Sequence, residues 1–357
     1  MDYGKSGNEN GSHPPTIETN GTSDVEKNRS NAMDGRTAHH VIAFSGGIDS
    51  SVAAALVHRI GASASASPSQ PLLSSGVYGS ERVTAVLGLS PAVPMDQRKL
   101  AEDVASIIGV TLEQVSTTEG TDEVYVANDG RACLACKTHL YDNLKSISEQ
   151  YCPIPQSATG TVSFDSTAIV DTIMYNGTNA DDLRDPTRLG LIAAQDFSVR
   201  SPLAGLPKDR VRMVGRHLGL PNWDYAASPC LRSRLAVGVA ATADRLEDVG
   251  AAEIFVKDTL GKDQPDQRWD VRKSLRVRIL SKNRAMIEVD DDGILKDIEE
   301  RLETPHWKRY FEDELGFASV GVRRFKTGSV APPPPKHRIA TIASPTGGIA
   351  RKLRRRP

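Results

Sequence analysis

The feature that most narrows the fold is a turn of six residues. Ser45, Gly46, Gly47, Ile48, Asp49 and Ser50 follow a short apolar run, Val41–Phe44. They precede Ser51–Ile60, where Val52, Leu56 and Val57 recur at helical spacing. Strand, glycine turn and helix in that order describe a unit whose turn can cradle an anion. Two glycines let the backbone approach a ligand with no Cβ in the way, and the free N–H groups of a helix N-terminus carry partial positive charge. Ser45 and Ser50 add hydroxyl donors, while Asp49 is suited to Mg²⁺ held between it and phosphates. The turn has neither the lysine and spacing of a Walker A loop nor the three-glycine dinucleotide fingerprint.

The pattern around the turn repeats. Val83–Leu89 and Val110–Val115 read as strands, Asp96–Ile108 as a helix, and a further helix begins around Cys136. An apolar run at Ala168–Tyr175 ends on Gly177. Such alternation predicts an α/β fold with a parallel sheet covered on both faces. After Cys230 the pattern changes. Leu275–Ile279, Ala285–Val289 and Ala318–Val322 read as strands and Ile294–Leu302 as a helix, which predicts a smaller α+β domain. The expected organisation is a polar, disordered extension over 1–38, a larger domain over 39–230, the smaller one over 231–328, and a tail over 329–357. That tail carries Pro332–Pro335 and then Arg351, Lys352, Arg354, Arg355 and Arg356. The serine- and glycine-rich stretch Gly61–Gly79 reads as a surface insertion.

A net charge of −1 gives no global attraction to nucleic acid or membranes, and only the basic tail offers nucleic acid a contact. No apolar run is long enough to span a bilayer, and the N-terminus lacks a signal-type apolar core. A cytoplasmic, homo-oligomeric protein is expected. Four cysteines in 357 residues do not make a disulfide scaffold. Cys152 reads as structural. Cys133 and Cys136 form Arg-x-Cys-x-x-Cys-Lys with Arg131 and Lys137, a pattern open to metal, iron–sulfur or dithiol chemistry. Arg232 and Arg234 flank Cys230 and would favour its thiolate if they approach it.

The turn resembles the SGGxDS signature of the PP-loop ATP pyrophosphatases, which implies cleavage of ATP between the α and β phosphates. Gly177, Thr178, Asn179, Ala180, Asp181 and Asp182 look like the segment that closes the nucleotide and metal site in that superfamily. Four blocks in order carry a sharper resemblance: SGGIDS, then Thr121–Lys137 with RACLACK, then Asn176–Leu203, then Leu218–Arg234 with SPCLRSR. Together they resemble the LarE family of ATP-dependent sacrificial sulfur transferases over about residues 40–325. Ser228 and Pro229 stand where small residues are usual, and the tails and the Gly61–Gly79 stretch lie outside the pattern.

The resemblance implies adenylation of a carboxylate on a pyridinium dicarboxylate mononucleotide, followed by attack of a cysteine thiolate that displaces AMP. Cleavage of the cysteine Cβ–S bond then leaves sulfur on the product. Cys230 falls on the sacrificial position, with Arg232 and Arg234 beside it as catalytic candidates. ATP falls to Ser45, Gly46, Gly47, Asp49, Ser50, Gly177 and Thr178, and Mg²⁺ to Asp49 and Asp181. Other members carry sulfur on a [4Fe-4S] cluster, for which Cys133, Cys136 and Cys230 are the candidate ligands. A small anionic substrate of this kind wants arginines, and Arg184, Arg188, Arg200, Arg276 and Arg278 are the candidates. Arg276 and Arg278 are two apart and so share a strand face. The competing readings are tRNA thiolation, amidation, and a non-catalytic ATP-binding protein. The first would want an RNA-binding domain and the second an ammonia source, while a sensor need not keep a thiol among arginines.

Overall fold

A computed structural model describes residues 37–65, 82–151, 169–264 and 268–326. Both tails, residues 66–79 of the expected insertion and Cys152 lie outside the described residues. β1 (Thr37–Ala43) leads through the glycine turn into α1 (Ile48–Ser65), then β2 (Val83–Leu89), α2 (Met95–Ile108) and β3 (Thr111–Ser116). After α3 (Glu123–Ala127) and α4 (Ala132–Tyr151) comes β4 (Ile169–Tyr175), then the short helices α5 (Ala180–Arg184) and α6 (Gly190–Asp196) and α7 (Lys208–His217). The sheet is parallel throughout, in the order β3-β2-β1-β4. The chain therefore leaves β1 on one side for β2 and β3 and returns on its other side as β4. That reversal opens a crevice at the carboxyl ends of β1 and β4, where open α/β sheets bind ligands.

Alternate residues of β1 explain why both faces are covered. Ile42 and Phe44 pack with Val52, Leu87, Val104 and Val211 under α1, α2 and α7. Val41 and Ala43 pack with Val86, Tyr141, Leu144 and Ala193 under α4 and α6. A strand buried on both sides reads as a continuous apolar run, as Val41–Phe44 does. Two element limits differ from the sequence reading. α1 runs on to Ser65, into the stretch expected to be an insertion, and α4 begins at Ala132 rather than near Cys136. The Arg131 carbonyl accepts from Leu134 and Ala135 N–H and starts the helix one turn early.

After α8 (Ala243–Gly261), a second sheet combines β5 (Leu275–Leu280), β6 (Arg284–Val289) and β7 (Ser319–Arg324) in that order, antiparallel then parallel, with α9 (Asp292–Leu302) between β6 and β7. Its core unites Val256, Val277, Ile279, Ile287 and Phe311 with Ala92, Tyr125, Ala132 and Ala135 from the first half of the chain. The α3–α4 segment and the loop after β2 therefore serve both cores. Among the described residues no helix is long and apolar enough to cross a membrane.

One buried group makes the larger core sensitive to acid. His39 lies in β1, its Nε2 3.0 Å from Thr84 Oγ1 and its ring stacked 3.7 Å from Tyr151. Burial, and then the neighbouring charge of His40, lower its pKa to about 4, against 6.5 for a free histidine. The unfolded chain thus takes up a proton that the fold refuses. The resulting stability is complete above pH 6.5 and is lost as pH falls from there through about 4. His39→Gln is expected to flatten the fall of Tm across that window in pH-dependent melts. An unchanged slope would assign the acid sensitivity elsewhere.

Candidate active site

The glycine turn is held in shape by its own serines. Ser50 Oγ donates to the Gly47 carbonyl at 2.9 Å and accepts from Ser45 N–H at 3.2 Å, and Ser45 Oγ lies 3.2 Å from it. Gly46 has φ +69°, and a Cβ there would meet the Ala101 backbone at 2.6 Å, so the turn rests directly on α2. Asn222 Nδ2 donates to the Gly46 carbonyl at 2.6 Å and to Ser51 Oγ at 3.1 Å. Gln97 Nε2 donates to the Ser45 carbonyl.

The second loop meets the first because Gly177 has no side chain. A Cβ at that position would lie 2.6 Å from Asp49 C and from Ser50 N. Asn176 keeps the approach in register: its Oδ1 accepts from Thr178 N–H and Ser201 Oγ, and its Nδ2 donates to Tyr141. Asn179 caps α5 in a capping box with Asp182, and its Nδ2 also reaches Asp49 Oδ1 at 3.2 Å. Lys208, at the start of α7, joins both expected magnesium ligands. Its Nζ donates to Asp49 Oδ2 at 2.5 Å and its backbone N–H to Asp181 Oδ2 at 2.8 Å. The lysine that the turn lacks in sequence thus arrives from a helix about 160 residues later.

The exposed Cys230 sits at the other end of the site, between two segments. Arg234, just after it, is buried and forms a bidentate pair with Glu253 of α8 at 2.6 and 3.2 Å. Glu253 also accepts from Val277 N–H of β5, and Arg234 donates to the Pro229 carbonyl. Arg276 donates to the Ala227 carbonyl and Arg278 to the Ser233 carbonyl. Three guanidiniums therefore hold the backbone on both sides of the thiol. Arg278 is further tied to buried Glu288 at 2.7 Å, whereas Arg276 lies flat on the Phe325 ring. Burial, and then the like charges of Arg234 and Arg278, pull Arg276 down to about 10. It is the arginine of the three most in need of an anion.

Arg232 turns the opposite way. It donates to Cys133 Sγ and to Asn128 Oδ1, and Asn128 is itself anchored to the Ala236 and Val239 carbonyls. Cys133 and Cys136 lie one turn apart on α4, within electrostatic reach of Cys230. Burial raises the Cys133 thiol, against the pull of Arg232, and pushes Cys136 up to about 12, against Lys137. Among the described residues no three His, Cys, Asp or Glu side chains are gathered to hold a metal ion.

The loop between β2 and α2 forms a wall shared by the two ends. Leu231 N–H donates to the Ala92 carbonyl at 2.7 Å, and Lys257 of α8 pairs with Asp96 at 2.9 Å. A few residues on, Gln97 and Ala101 touch the glycine turn. The remaining expected arginines are otherwise engaged. Arg184 pairs with Asp181, and Arg188 with Asp182 and Asp185 while staying within electrostatic reach of Cys133. Arg200 bridges the end of β4 at Tyr175, with no contact to the Cys230 segment among the described residues. Lys208, Asn222, Gln97, Asn128 and Glu253 were not among the expected site residues. Asn222 lies in the block that ends at Arg234 and Asn128 in the block Thr121–Lys137, but the others carry no local signal.

Fold and site together define a class: an α/β protein whose strand-end glycine–serine turn shares a wall with a cysteine segment whose backbone is held by arginines. No family model matches the chain. It is 33% identical over 219 residues to the uncharacterized protein slr1717 of Synechocystis, covering 61% of this chain and 68% of that one. The chain belongs to the family of that protein. It is also 27% identical over 218 residues to the pyridinium-3,5-bisthiocarboxylic acid mononucleotide synthase of Lactiplantibacillus plantarum, covering 60% of this chain and 66% of the synthase. The matched stretch is about two thirds of each relative.

Two substitutions probe the two ends. Gly177→Ala should cost about 1–3 kcal/mol, because backbone rather than a flexible side chain stands in the way; an unshifted urea midpoint would show that the loops do not touch. Glu253→Gln should cost about 3–5 kcal/mol by leaving the Arg234 charge buried and uncompensated. Denaturant melts read that loss, and wild-type stability in this variant would dispose of the anchoring role.

Proposed function

We propose that this protein is an ATP-dependent sulfur transferase that activates a carboxylate on an anionic pyridinium mononucleotide and passes it to Cys230. The observation that carries the reading is the shared wall: the loop before α2 contacts Leu231 beside the thiol through Ala92, and the first turns of α2 contact the glycine turn through Gln97 and Ala101. An acyl group activated at one end has a nucleophile at the other. The 27% identical synthase, whose product name specifies two thiocarboxylates, supports the same chemistry.

In this reading the backbone N–H groups of the turn and Lys208 take the phosphates of the substrate ATP. Asp49 and Asp181, oxygen donors on either side of Lys208, would hold Mg²⁺, which neutralises charge on the triphosphate. A substrate carboxylate oxygen attacks the α phosphorus and pyrophosphate leaves. The Cys230 thiolate then attacks the acyl carbon; the C–S bond forms, and the C–O bond to AMP breaks with its electron pair on AMP. Loss of the Cys230 Cα proton with cleavage of Cβ–S leaves a thiocarboxylate product and dehydroalanine. Arg276, unpaired by any carboxylate among the described residues, is the subsite for a negative group of the substrate.

A [4Fe-4S] centre on Cys133, Cys136 and Cys230 is the alternative sulfur carrier. The three thiols share one electrostatic neighbourhood without being gathered at ligating positions, so no step is routed through it here. Intact mass separates the two. After one turnover with ATP and pyridinium-3,5-dicarboxylate mononucleotide, the protein should lose about 34 Da, the mass of H₂S from a consumed thiolate, at Cys230. Cys230→Ala should still release pyrophosphate but neither displace AMP nor form thiolated product. Product formed at unchanged protein mass would remove the sacrificial step, and absence of pyrophosphate release would remove the adenylation.

A further inference from the structure

Close to the thiol lies a polar group that nothing among the described residues satisfies. Tyr125 lies in α3 and belongs to the same core as Ala132, Ala135 and Leu231, the residue that follows Cys230, with Cys136 packed against that core. It is 2% exposed, and its hydroxyl is shielded from solvent with no hydrogen-bond partner among the described residues. The ring is fixed from both ends of its helix. Asp122 caps the Val124 and Tyr125 N–H groups, and the Tyr125 carbonyl accepts from Asn128, the residue that also orients Arg232. The hydroxyl lies within electrostatic reach of Cys230, Cys136, Glu119 and Arg232. Glu119 repeats the pattern: it is 2% exposed, and its Oε2 also lacks a partner among the described residues.

Buried polar groups are nearly always paired, and each exception calls for a reason. A phenylalanine would fill the same space at no such cost. Two orphans within electrostatic reach of Cys136, Tyr125 also of Cys230, point to a polar partner that arrives with the chemistry. An acyl group joined to Cys230 brings one, because its oxygen gains negative charge as the thiolate attacks the adenylate. That oxygen is tethered to the cysteine and is presented where the cysteine lies.

We propose that Tyr125 is a further catalytic residue: its hydroxyl donates a hydrogen bond to the acyl oxygen while Cys230 displaces AMP. The proton stays on the phenol. Burial, and then the neighbouring thiols, raise the Tyr125 pKa, which keeps it a donor across the working range. No proton is transferred and no further reactant is needed; the electron pair released from the acyl oxygen returns as AMP departs. This assignment rests on the sulfur-transfer reading above.

Tyr125→Phe removes the hydroxyl and keeps the ring. In single-turnover reactions with ATP and pyridinium-3,5-dicarboxylate mononucleotide, pyrophosphate release by the variant should match wild type. Loss of mass at Cys230 should slow on the order of 100-fold, as for other single oxyanion donors. Its Tm should rise by about 2–4 °C, because an unpaired buried hydroxyl has been removed. A merely structural tyrosine would give a lower Tm instead, and either a lower Tm or equal rates of mass loss overturns the assignment. Wild type that releases no pyrophosphate would fail the underlying sulfur-transfer reading, an outcome separate from normal release with equal rates, which fails Tyr125 alone.

Discussion

The buried pair of Arg234 and Glu253 organises the reactive half of the molecule. Neither charge can stay in a core without the other, so the two bring together three segments distant in sequence. Arg234 carries the Cys230 segment, Glu253 carries α8, and the Val277 N–H on Glu253 carries β5. The neighbouring guanidiniums of Arg276 and Arg278 then close on the carbonyls of Ala227 and Ser233. Cys230 is exposed, yet the chain on either side of it is held by arginines that reach it from a separate sheet. A thiol that must meet a substrate acyl group gains from such a frame, since reactivity depends on placement as much as on the sulfur itself.

At the other end the governing constraint is steric. Gly177 lets the loop after β4 lie against Asp49 and Ser50, and Gly46 lets the turn lie against α2. These two contacts bring the ends of neighbouring parallel strands into one crevice. Lys208 completes it by bonding Asp49 and Asp181 at once. The loop before α2 and the first turns of that helix touch both ends and so fix one relative to the other. Arginines away from this frame, such as Arg184 and Arg200, find acidic or aromatic partners of their own.

Much of this was legible from the chain. The apolar run before Ser45, the glycine pair and the helical spacing after it are local features, and local backbone physics follows from them directly. The same holds for the parallel first sheet, the later change to a small mixed sheet, and the shared strand face of Arg276 and Arg278. The proximity of Cys133, Cys136, Arg232 and Cys230 could be guessed only through the resemblance of whole blocks. The start of α4 was misplaced because the capping of its first turn depends on a carbonyl, at Arg131, that side-chain periodicity does not reveal.

The sequence by itself determined the class of fold, the glycine–serine turn and the candidate thiol, because each depends on residues adjacent in the chain. Only the tertiary structure decided which charges are committed and which remain available. Arg278 is bound to Glu288 while Arg276 is not paired, Lys208 supplies the turn's missing cation, and Tyr125 keeps a hydroxyl without a partner among the described residues. Those outcomes depend on burial and on partners outside the local sequence pattern, 10 residues away for Arg278, 49 for Arg276 and 159 for Lys208.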